Sequence, residues 1–310
     1  MSSIDGCSPH ESRCGLVAIV GRPNVGKSTL LNCVLGQKLS ITSRKPHTTR
    51  YQIVGVKTTG GVQAVYIDTP GLDGRRDRAL SRYMNREAMR ALAEVDVIVF
   101  MIEALRWIEA DRYVLDQIRS TAQPVILAIN KVDTVTDKSR LLPFLQELGA
   151  RLEFAEWIPI SARRSTHIAV LEQAISSRLP LGPHVFPEEQ ITDRDERFFA
   201  GELIREKLMR KLGQEVPYQL SVVVDCFEEK EHVLVIAATI WVERRGQKRI
   251  VIGKEGALLK AVGHEARKDM EQLFGKQVFL QTWVKIKEHW SDDARALREL
   301  GYSGDSPHAR

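Results

Sequence analysis

The stretch Gly21-Arg-Pro-Asn-Val-Gly-Lys-Ser28 decides the fold. It follows a short apolar run, Leu16–Val20, and opens a segment with helical periodicity, Thr29–Leu35. A glycine-rich turn that ends in Lys-Ser between a buried strand and a helix is typical of a phosphate-binding P-loop. The backbone N–H groups of such a loop point at phosphate oxygens, and the helix N-terminus favours the same negative charge. The stretch therefore predicts a nucleotide site within an α/β fold.

Outward from this loop, strand-like runs alternate with helical periodicity as far as Leu179. This alternation is typical of a mostly parallel sheet with flanking helices, which we expect over residues 1–181. The segment Leu179-Pro-Leu-Gly-Pro183 then breaks the pattern. The predicted strands are Gly15–Gly21, Val62–Asp68, Asp96–Ile102, Val125–Asn130 and Trp157–Ser161.

A polar linker over residues 182–196 is expected to lead to a smaller α+β domain over residues 197–290. Asp195 or Thr192 could cap its first helix. Residues 291–310 form a charged tail, predicted as a short helix with a disordered end. The predicted elements are a helix from Arg197 to about Leu212, strands Tyr218–Phe227 and His232–Glu243, a helix Ala257–Phe274 and a strand Val278–Lys287.

A second motif indicates which base is bound. Asn130-Lys-Val-Asp133 ends a predicted strand, at the edge where α/β sheets bind ligands. The Asp133 carboxylate can accept hydrogen bonds from guanine N1 and N2, which adenine cannot supply. Asn130 is expected to brace the loop and contact the base, and the stem of Lys131 to cover the ring. Ser161-Ala162 resembles the fifth GTPase motif, whose alanine N–H contacts guanine O6.

These motifs predict GTP and GDP as ligands, with Mg²⁺. Asp68-Thr-Pro-Gly71 ends another strand, so Asp68 can hold Mg²⁺ through water and the Gly71 N–H can sense the γ-phosphate. The predicted nucleotide-binding residues are Gly21, Arg22, Pro23, Asn24, Val25, Gly26, Lys27, Ser28, Thr29, Asp68, Thr69, Pro70, Gly71, Asn130, Lys131, Asp133, Ser161 and Ala162.

The segment Leu39–Tyr51, rich in Thr and basic residues, is interpreted as switch I. Thr49 is the expected Mg²⁺ ligand of the GTP state and Thr48 the second choice. The predicted metal ligands are therefore Ser28, Thr49 and Asp68. Lys27 is expected to reach the β- and γ-phosphates.

One absence bears on hydrolysis. Ras-type enzymes place a water-orienting Gln directly after the glycine of the third motif, and this chain has Leu72 there. Leu cannot orient water, so intrinsic hydrolysis should be slow unless another group, a bound cation or a partner completes the site. The candidate catalytic residues are Lys27, Asn24, Thr49 and Gly71.

Gly253-Lys-Glu-Gly256 precedes a helix and matches the Gly-x-x-Gly loop with which K-homology domains clamp about four nucleotides. The whole chain carries a net charge of +5, but its excess of Lys and Arg lies in residues 1–181. A local basic cluster can still supply the phosphate-neutralising charge, although a solvated charged hairpin would look the same. The predicted RNA-binding residues are Gly253, Lys254, Glu255, Gly256, Arg244, Arg245, Lys248, Arg249 and Lys260.

The motif order, with Pro23-Asn24 in the P-loop and Thr48-Thr-Arg50 in switch I, resembles the Era branch of the translation-factor-like GTPases. The resemblance spans about Cys14 to Tyr302. Two stretches depart from it: Arg163–His167 stands where relatives carry a glycine-containing turn, and Glu255 is acidic. The second half is similar to the family at Arg205–Leu208, Ile252–Gly256, Trp283–Lys287 and Trp290–Arg298.

The resemblance implies a Ras-like GTPase domain followed by a type II K-homology domain. It implies binding near the 3′ end of 16S rRNA, a role in assembly of the 30S subunit, and peripheral contact with the cytoplasmic membrane. It also makes K⁺ a candidate cofactor, because potassium-activated relatives use an Asn at the position of Asn24. No stable protein partner is expected.

Two other interpretations remain open: an RNA chaperone with GTP as a mainly structural ligand, and a membrane-associated signalling GTPase with a protein effector. The longest apolar run, Val233–Val242, is shorter than the ~20 residues that span a bilayer, and the N-terminus lacks a signal-peptide pattern, so a cytoplasmic protein is expected. Four cysteines without metal-ligand spacing are expected as free thiols. Trp241, Trp283 and Trp290 are assigned to core or interface.

Overall fold

The computed structural model describes residues 12–72, 74, 78–149, 153–213 and 215–302. Internal contacts divide these residues into two compact units. The first unit comprises the described residues of Met1–Ser40, Thr49–Gly74 and Met84–Asp193. The second comprises those of Ile41–Thr48, Arg75–Tyr83 and Arg194–Arg310.

A six-stranded sheet forms the centre of the described part of the first unit. Five strands run parallel, and the remaining edge strand is antiparallel to its neighbour. The strands are β1 (Arg13–Val20), β2 (Ile53–Thr59), β3 (Val62–Asp68), β4 (Val97–Glu103), β5 (Val125–Asn130) and β6 (Glu156–Pro159), in the order β2-β3-β1-β4-β5-β6. The helices are α1 (Lys27–Leu35), α2 (Ala79–Ala93), α3 (Glu109–Ile118), α4 (Leu141–Gly149) and α5 (Ile168–Ser176); α2 begins in the second unit.

The central strand β4 explains why a parallel sheet forms. Residues Val97–Ile102 are all apolar and fully buried, as expected for a strand covered on both faces. Phe100 packs against Trp107 and Phe154 within the main core cluster. The carboxyl ends of β1, β3, β4 and β5 meet at one edge, and the predicted nucleotide motifs lie there.

The sequence pattern did not predict β2. It forms a hairpin with β3 across Gly60 and Gly61, with Ile53 opposite Asp68. Three of the four residues Ile53–Val56 are β-branched, which suits a strand, but Gly55 interrupts the run. A side chain at Gly55 would collide with Leu35, so the glycine permits close packing of the strand against α1.

The second unit contains a three-stranded sheet in the order β7-β8-β9 among its described residues. Strands β7 (Leu220–Lys230) and β8 (Val233–Val242) are antiparallel, and β8 is parallel to β9 (Gln277–Ile286). The helices α6 (Glu196–Lys211) and α8 (Ala257–Phe274) contribute to the core beside the sheet. Two shorter helices are α7 (Arg245–Ile252) and α9 (Ala294–Glu299).

Most predicted elements of this unit agree with the structure to within three residues. Asp195 is the cap of α6, because its side chain accepts a hydrogen bond of 2.8 Å from the Phe198 N–H. The helix α7 was not predicted, since Gly246 and the three β-branched residues Ile250–Ile252 disfavour helix. Tyr218 belongs to a short 3₁₀ turn and not to a strand, because Pro217 precedes it.

The tryptophans behave differently from one another. Trp290 is fully buried and stacks on Tyr302, which confirms its assignment to the core. Trp283 is 46% exposed, so it is not a core residue, and its assignment to an interface stays a prediction. Within the described residues, Cys14, Cys33 and Cys226 are free thiols, whereas Cys7 lies outside them. None of the helices in the described ranges combines the length and apolar character needed to cross a membrane.

Candidate functional site

The phosphate loop joins β1 to α1 and closes around the ammonium group of Lys27. Lys27 Nζ donates to the carbonyl oxygens of Gly21 and Arg22, at 3.0 Å each. Burial lowers the pKa of Lys27 to about 8, with Asp68 opposing and Arg22 adding to the shift. Gly26 has a φ of 111°, a region that side chains avoid, and a side chain there would collide with Asn130. The loop thus presents a buried cation where phosphate is expected.

Four oxygen-bearing side chains converge beside this lysine. Ser28 Oγ donates to Asp68 Oδ2 at 2.7 Å and lies 2.8 Å from Thr49 Oγ1. Because the Ser28 hydrogen is directed at Asp68, the Thr49 hydroxyl is the donor to Ser28. Ser40 Oγ also donates to Asp68 Oδ2, at 2.8 Å. The structure therefore brings together Ser28, Thr49 and Asp68, the three predicted metal ligands.

The second oxygen of Asp68 supports a metal at this position. Asp68 is fully buried, and its Oδ1 has no hydrogen-bond partner among the described residues. Burial raises the pKa of Asp68, while Lys27 and the hydroxyls of Ser28 and Ser40 oppose the shift. A cation would stabilise the ionised carboxylate and satisfy the unpaired oxygen. Carboxylate and hydroxyl oxygens are the hard donors that Mg²⁺ prefers, so the residues present fit Mg²⁺.

The base loop is braced by one amide. Asn130 Nδ2 donates to the Val25 carbonyl at 2.7 Å, and Asn130 Oδ1 accepts from the Ala162 N–H at 3.0 Å. The Ala162 N–H, predicted to contact guanine O6, is thus directed at Asn130 here. Asp133 is exposed, and its Oδ1 accepts from Ser161 Oγ at 2.7 Å. Asn130 therefore connects the phosphate loop to both segments expected to bind guanine.

Several predicted nucleotide-binding residues direct their side chains elsewhere, so only their backbone is available. Arg22 is buried in ion pairs with Glu103 and Asp111, and Val25 is a fully buried core residue. Thr69 Oγ1 donates to the Ile19 carbonyl at 2.9 Å. Pro70 is also buried, whereas Pro23 and Thr29 are half-buried.

The candidate catalytic residues differ in their surroundings. Asn24 is exposed and has a left-handed φ of 65°. Gly71 lies so close to Pro23 that a Cβ would come within 2.8 Å of it. Leu72 is fully buried in the core, and its N–H donates to the Gly21 carbonyl at 3.3 Å. Leu72 therefore stabilises the loop and offers no polar group to water.

Sequence reasoning missed Ser40, Glu103 and Asp111. Ser40 lies inside the predicted switch I, is fully buried, and donates a hydrogen bond to Asp68. Glu103 is the last residue of β4, so its place at the carboxyl edge of the sheet was the signal that could have identified it. Asp111 is a buried acid in the first turn of α3 that accepts the Ile108 N–H at 3.0 Å.

The predicted switch I belongs to both units, with residues 41–48 in the second and residues 39–40 and 49–51 in the first. Thr48, the second choice for the metal, directs its hydroxyl at the Lys45 carbonyl, at 2.7 Å. Within the second unit, Arg205 Nη2 on α6 donates to the Thr48 carbonyl at 2.6 Å. Glu206 on the same helix accepts the Thr42 N–H at 3.0 Å. Residues 41–48 are thus held by α6.

The Gly-x-x-Gly loop lies between α7 and α8. Gly253 and Gly256 have φ values of 75° and 79°, and a side chain at Gly253 would collide with Leu258. Lys254 and Glu255 are exposed, and Glu255 itself adopts a φ of 51°. Within the described residues, none of the six predicted RNA-binding cations forms an ion pair; these are Arg244, Arg245, Lys248, Arg249, Lys254 and Lys260.

The loop Arg163–His167, which was expected to depart from the family pattern, is a compact turn. The Thr166 N–H donates to the Ser161 carbonyl, and the Ser161 N–H donates to the Thr166 carbonyl. Ser165 and His167 both have φ values of 55°, so two non-glycine residues adopt the left-handed conformation. The turn keeps Ser161 beside Asp133 without a glycine.

Two family models match the chain. The model described as a 50S ribosome-binding GTPase matches residues 16–131, and the KH domain model matches residues 215–291. GTPase Era of Pseudomonas aeruginosa strain LESB58 is 55% identical over 294 residues, which is 95% of this chain and 96% of the relative. GTPase Era of Azotobacter vinelandii is 56% identical over 290 residues, covering 94% and 97%.

Two solved structures agree with the fold over nearly the whole chain. A variant of Aquifex aeolicus Era bound to GDP·AlF4⁻ is 38% identical, with a TM-score of 0.91 over 94% of this chain and 99% of that one. Era in complex with MgGDPNP and nucleotides 1506–1542 of 16S ribosomal RNA is 38% identical, with a TM-score of 0.92 over 94% and 100%. The chain belongs to the Era family of GTPases.

Proposed function

We propose that this protein is a GTP-hydrolysing switch that binds 16S rRNA near its 3′ end and assists assembly of the 30S subunit. The observation that carries the proposal is the match to Era in complex with both MgGDPNP and nucleotides 1506–1542 of 16S rRNA. The match covers 94% of this chain, so it extends over both units and not over the GTPase part alone.

In the proposed reaction, water attacks the γ-phosphate of GTP. The Lys27 ammonium replaces its two carbonyl contacts with oxygens of the β- and γ-phosphates. Bound Mg²⁺ would be held by Ser28, Thr49 and, through water, Asp68, and would neutralise charge on the phosphates. The Gly71 N–H contacts the γ-phosphate, and Asp133 selects guanine. Because Leu72 is buried, water must be oriented by another group.

The RNA contact is proposed at the Gly-x-x-Gly loop. The glycines allow the sugar–phosphate backbone to approach closely, and the N-terminus of α8 directs its free N–H groups at phosphate. In the part of the chain that the structure describes, the six cations around the loop form no ion pair, so they can neutralise RNA phosphates and displace the counterions of the RNA without first losing an internal partner. Glu255 would repel an RNA phosphate next to its own carboxylate and so reduce the number of positions that the RNA backbone can occupy at the loop.

The decisive experiment measures multiple-turnover phosphate release from GTP and from ATP, with and without an RNA of nucleotides 1506–1542. Turnover of GTP but not of ATP, at a rate that the RNA increases, supports the proposal that the protein is a GTP-hydrolysing enzyme. Tight GTP binding without turnover under any condition would favour an RNA chaperone with GTP as a structural ligand. Cosedimentation with 30S and with 50S subunits then tests which ribosomal subunit the protein binds. Association with the 50S subunit alone would contradict the proposal.

Cytoplasmic location with a peripheral fraction at the membrane is proposed from the family resemblance alone. Flotation with vesicles containing anionic lipid tests it, because electrostatic attachment should weaken as salt is raised. Cofractionation with vesicles but not with RNA would favour the signalling alternative that acts through a protein effector.

A further inference from the structure

A single carboxylate oxygen lies between the phosphate loop and the base loop. Glu103 Oε2 accepts from Arg22 Nη2 at 2.8 Å and lies 3.2 Å from Lys131 Nζ. Arg22 belongs to the phosphate loop, whereas Lys131 belongs to the loop expected to bind guanine. Arg106 Nη1 is the third cation near this oxygen, at 3.6 Å.

Of the contacts that Glu103 makes with Arg22 and Lys131, the one with Arg22 is held rigidly. Arg22 is 5% exposed, and its Nε lies 3.1 and 3.2 Å from the two oxygens of Asp111, which is fully buried. The Arg22 carbonyl is one of the two acceptors of Lys27 Nζ. A change in the position of Arg22 would therefore move a group that holds the phosphate-binding lysine.

The contact between Glu103 and Lys131 is more adaptable. Lys131 has a left-handed φ of 65°, and its side chain is 33% exposed. Ordering a long flexible side chain over a planar base costs rotamer entropy, and an anchor on its head group reduces the cost at the moment of binding. Glu103 supplies that anchor from the end of β4. Partial burial opposes ionisation of Glu103, but hydrogen bonds from Arg22 and Lys131 outweigh it and lower the pKa of Glu103.

We propose that Glu103 is a positioning residue for nucleotide binding: its carboxylate fixes the Lys131 ammonium against the phosphate loop through Arg22, so that the surface for the guanine ring is formed before the nucleotide arrives. The inference rests on the proposed role of Lys131 in covering the base. Because Asp111 also holds Arg22, loss of the Glu103 charge should leave Arg22 and the contacts of Lys27 in place. Glu103 therefore acts through Lys131 on the affinity for guanine nucleotides and not on the chemical step.

The test is a double-mutant cycle on GDP affinity. Glu103→Gln keeps the size of the side chain and removes the charge, and Lys131→Met keeps an apolar stem and removes the ammonium. We expect Glu103→Gln to weaken GDP binding about tenfold in the wild-type protein and less than about twofold in the Lys131→Met protein. KM for GTP should rise in parallel, with kcat within about twofold of wild type. Glu109→Gln, an exposed acid on the neighbouring helix α3, is the matched control.

Glu103→Asp keeps the charge with a shorter reach and should lie between wild type and Glu103→Gln, which excludes a general folding defect. Unchanged GDP affinity in Glu103→Gln overturns the proposal. Equal weakening in both backgrounds also overturns it, because Glu103 would then act independently of Lys131. If Lys131→Met and Asp133→Asn both leave guanine binding unchanged, the base loop itself is misassigned and the proposed function fails. If those two variants behave as expected and Glu103→Gln leaves GDP affinity unchanged, only the positioning role of Glu103 is wrong.

Discussion

Ser28 donates its hydroxyl hydrogen to Asp68 Oδ2 over 2.7 Å, although the two residues are 40 positions apart in the chain. The contact joins the first turn of α1 to the end of β3, two elements that flank the phosphate loop. It leaves Asp68 Oδ1 buried without a partner among the described residues. The pair thus presents a hydroxyl and a free carboxylate oxygen to the same small space, as a Mg²⁺ site requires.

Removing that hydroxyl should reduce hydrolysis. Ser28→Ala deletes a proposed metal ligand and one hydrogen bond to Asp68, so we expect GTP turnover to fall at least about tenfold, or ~1.4 kcal/mol of transition-state stabilisation. The magnesium concentration for half-maximal turnover should rise. Steady-state phosphate release over a magnesium titration measures both, with the exposed Ser139→Ala as control. A smaller fall in turnover would remove Ser28 from the metal site.

Base selection depends on one carboxylate. Asp133→Asn exchanges the acceptor for a donor, so the variant should bind xanthosine triphosphate in place of GTP. We expect GTP affinity to fall by about a hundredfold or more, because buried polar groups of the nucleotide would lose their partners. Competition binding with both nucleotides measures the exchange, and Asp137→Asn, an exposed neighbour, is the control. A variant that still prefers GTP would show that Asp133 does not read the base.

Leu72 has no polar group that could orient the attacking water, so we expect a bound K⁺ ion to assist GTP hydrolysis. We expect K⁺ to stimulate GTP hydrolysis at least about tenfold over Na⁺ at equal ionic strength, which corresponds to ~1.4 kcal/mol of the barrier. Asn24 is exposed in the phosphate loop, and its amide oxygen is the candidate ligand. Asn24→Ala should remove most of the stimulation and leave GDP affinity close to wild type. Equal rates in the two salts would exclude K⁺ as a cofactor.

Burial of Lys27 predicts a pH dependence of nucleotide binding. Its pKa is about 8 in the free protein, and bound phosphate favours the ammonium form, so binding must raise that pKa. Below about pH 7 the lysine is protonated in both states and binding takes up no proton at this group. Above about pH 8 the free protein has lost the proton, so binding requires uptake approaching one proton and GDP affinity falls as pH rises. Titration calorimetry in two buffers of different ionisation heat measures the uptake. Proton uptake that is the same at about pH 7 and about pH 8.5 would contradict a role for Lys27 in phosphate binding.

Much of the nucleotide site could be predicted because its motifs lie at strand ends. Gly21–Ser28, Asp68–Gly71 and Asn130–Asp133 each follow a strand of the parallel sheet, so chain order alone brings them to one edge. Side-chain direction could not be predicted. Arg22 and Thr69 occur within these motifs, yet their side chains form internal contacts.

Residues outside the motifs were missed because their contacts depend on tertiary structure. Ser40 reaches Asp68 across 28 positions, from a segment with neither helical nor strand periodicity. The helix α7 forms although Gly246 and three β-branched residues disfavour it, since Val251 is fully buried in the core of the second unit. Local propensity is a weak guide where core packing of this kind decides the structure.

The central claim is that the nucleotide state controls RNA binding, and RNA titrations test it most directly. The RNA of nucleotides 1506–1542 is titrated with protein saturated with a non-hydrolysable GTP analogue and with GDP. We expect tighter binding in the GTP state by about 5–150-fold, or ~1–3 kcal/mol, and by linkage the RNA must tighten the GTP analogue over GDP by the same factor. A variant carrying Lys254→Asp and Glu255→Asp should lose RNA binding and keep GTP affinity, because Lys254→Asp replaces a cation with a second carboxylate at the loop and the pair of carboxylates repels phosphate. Equal RNA affinity in the two nucleotide states would contradict the switch.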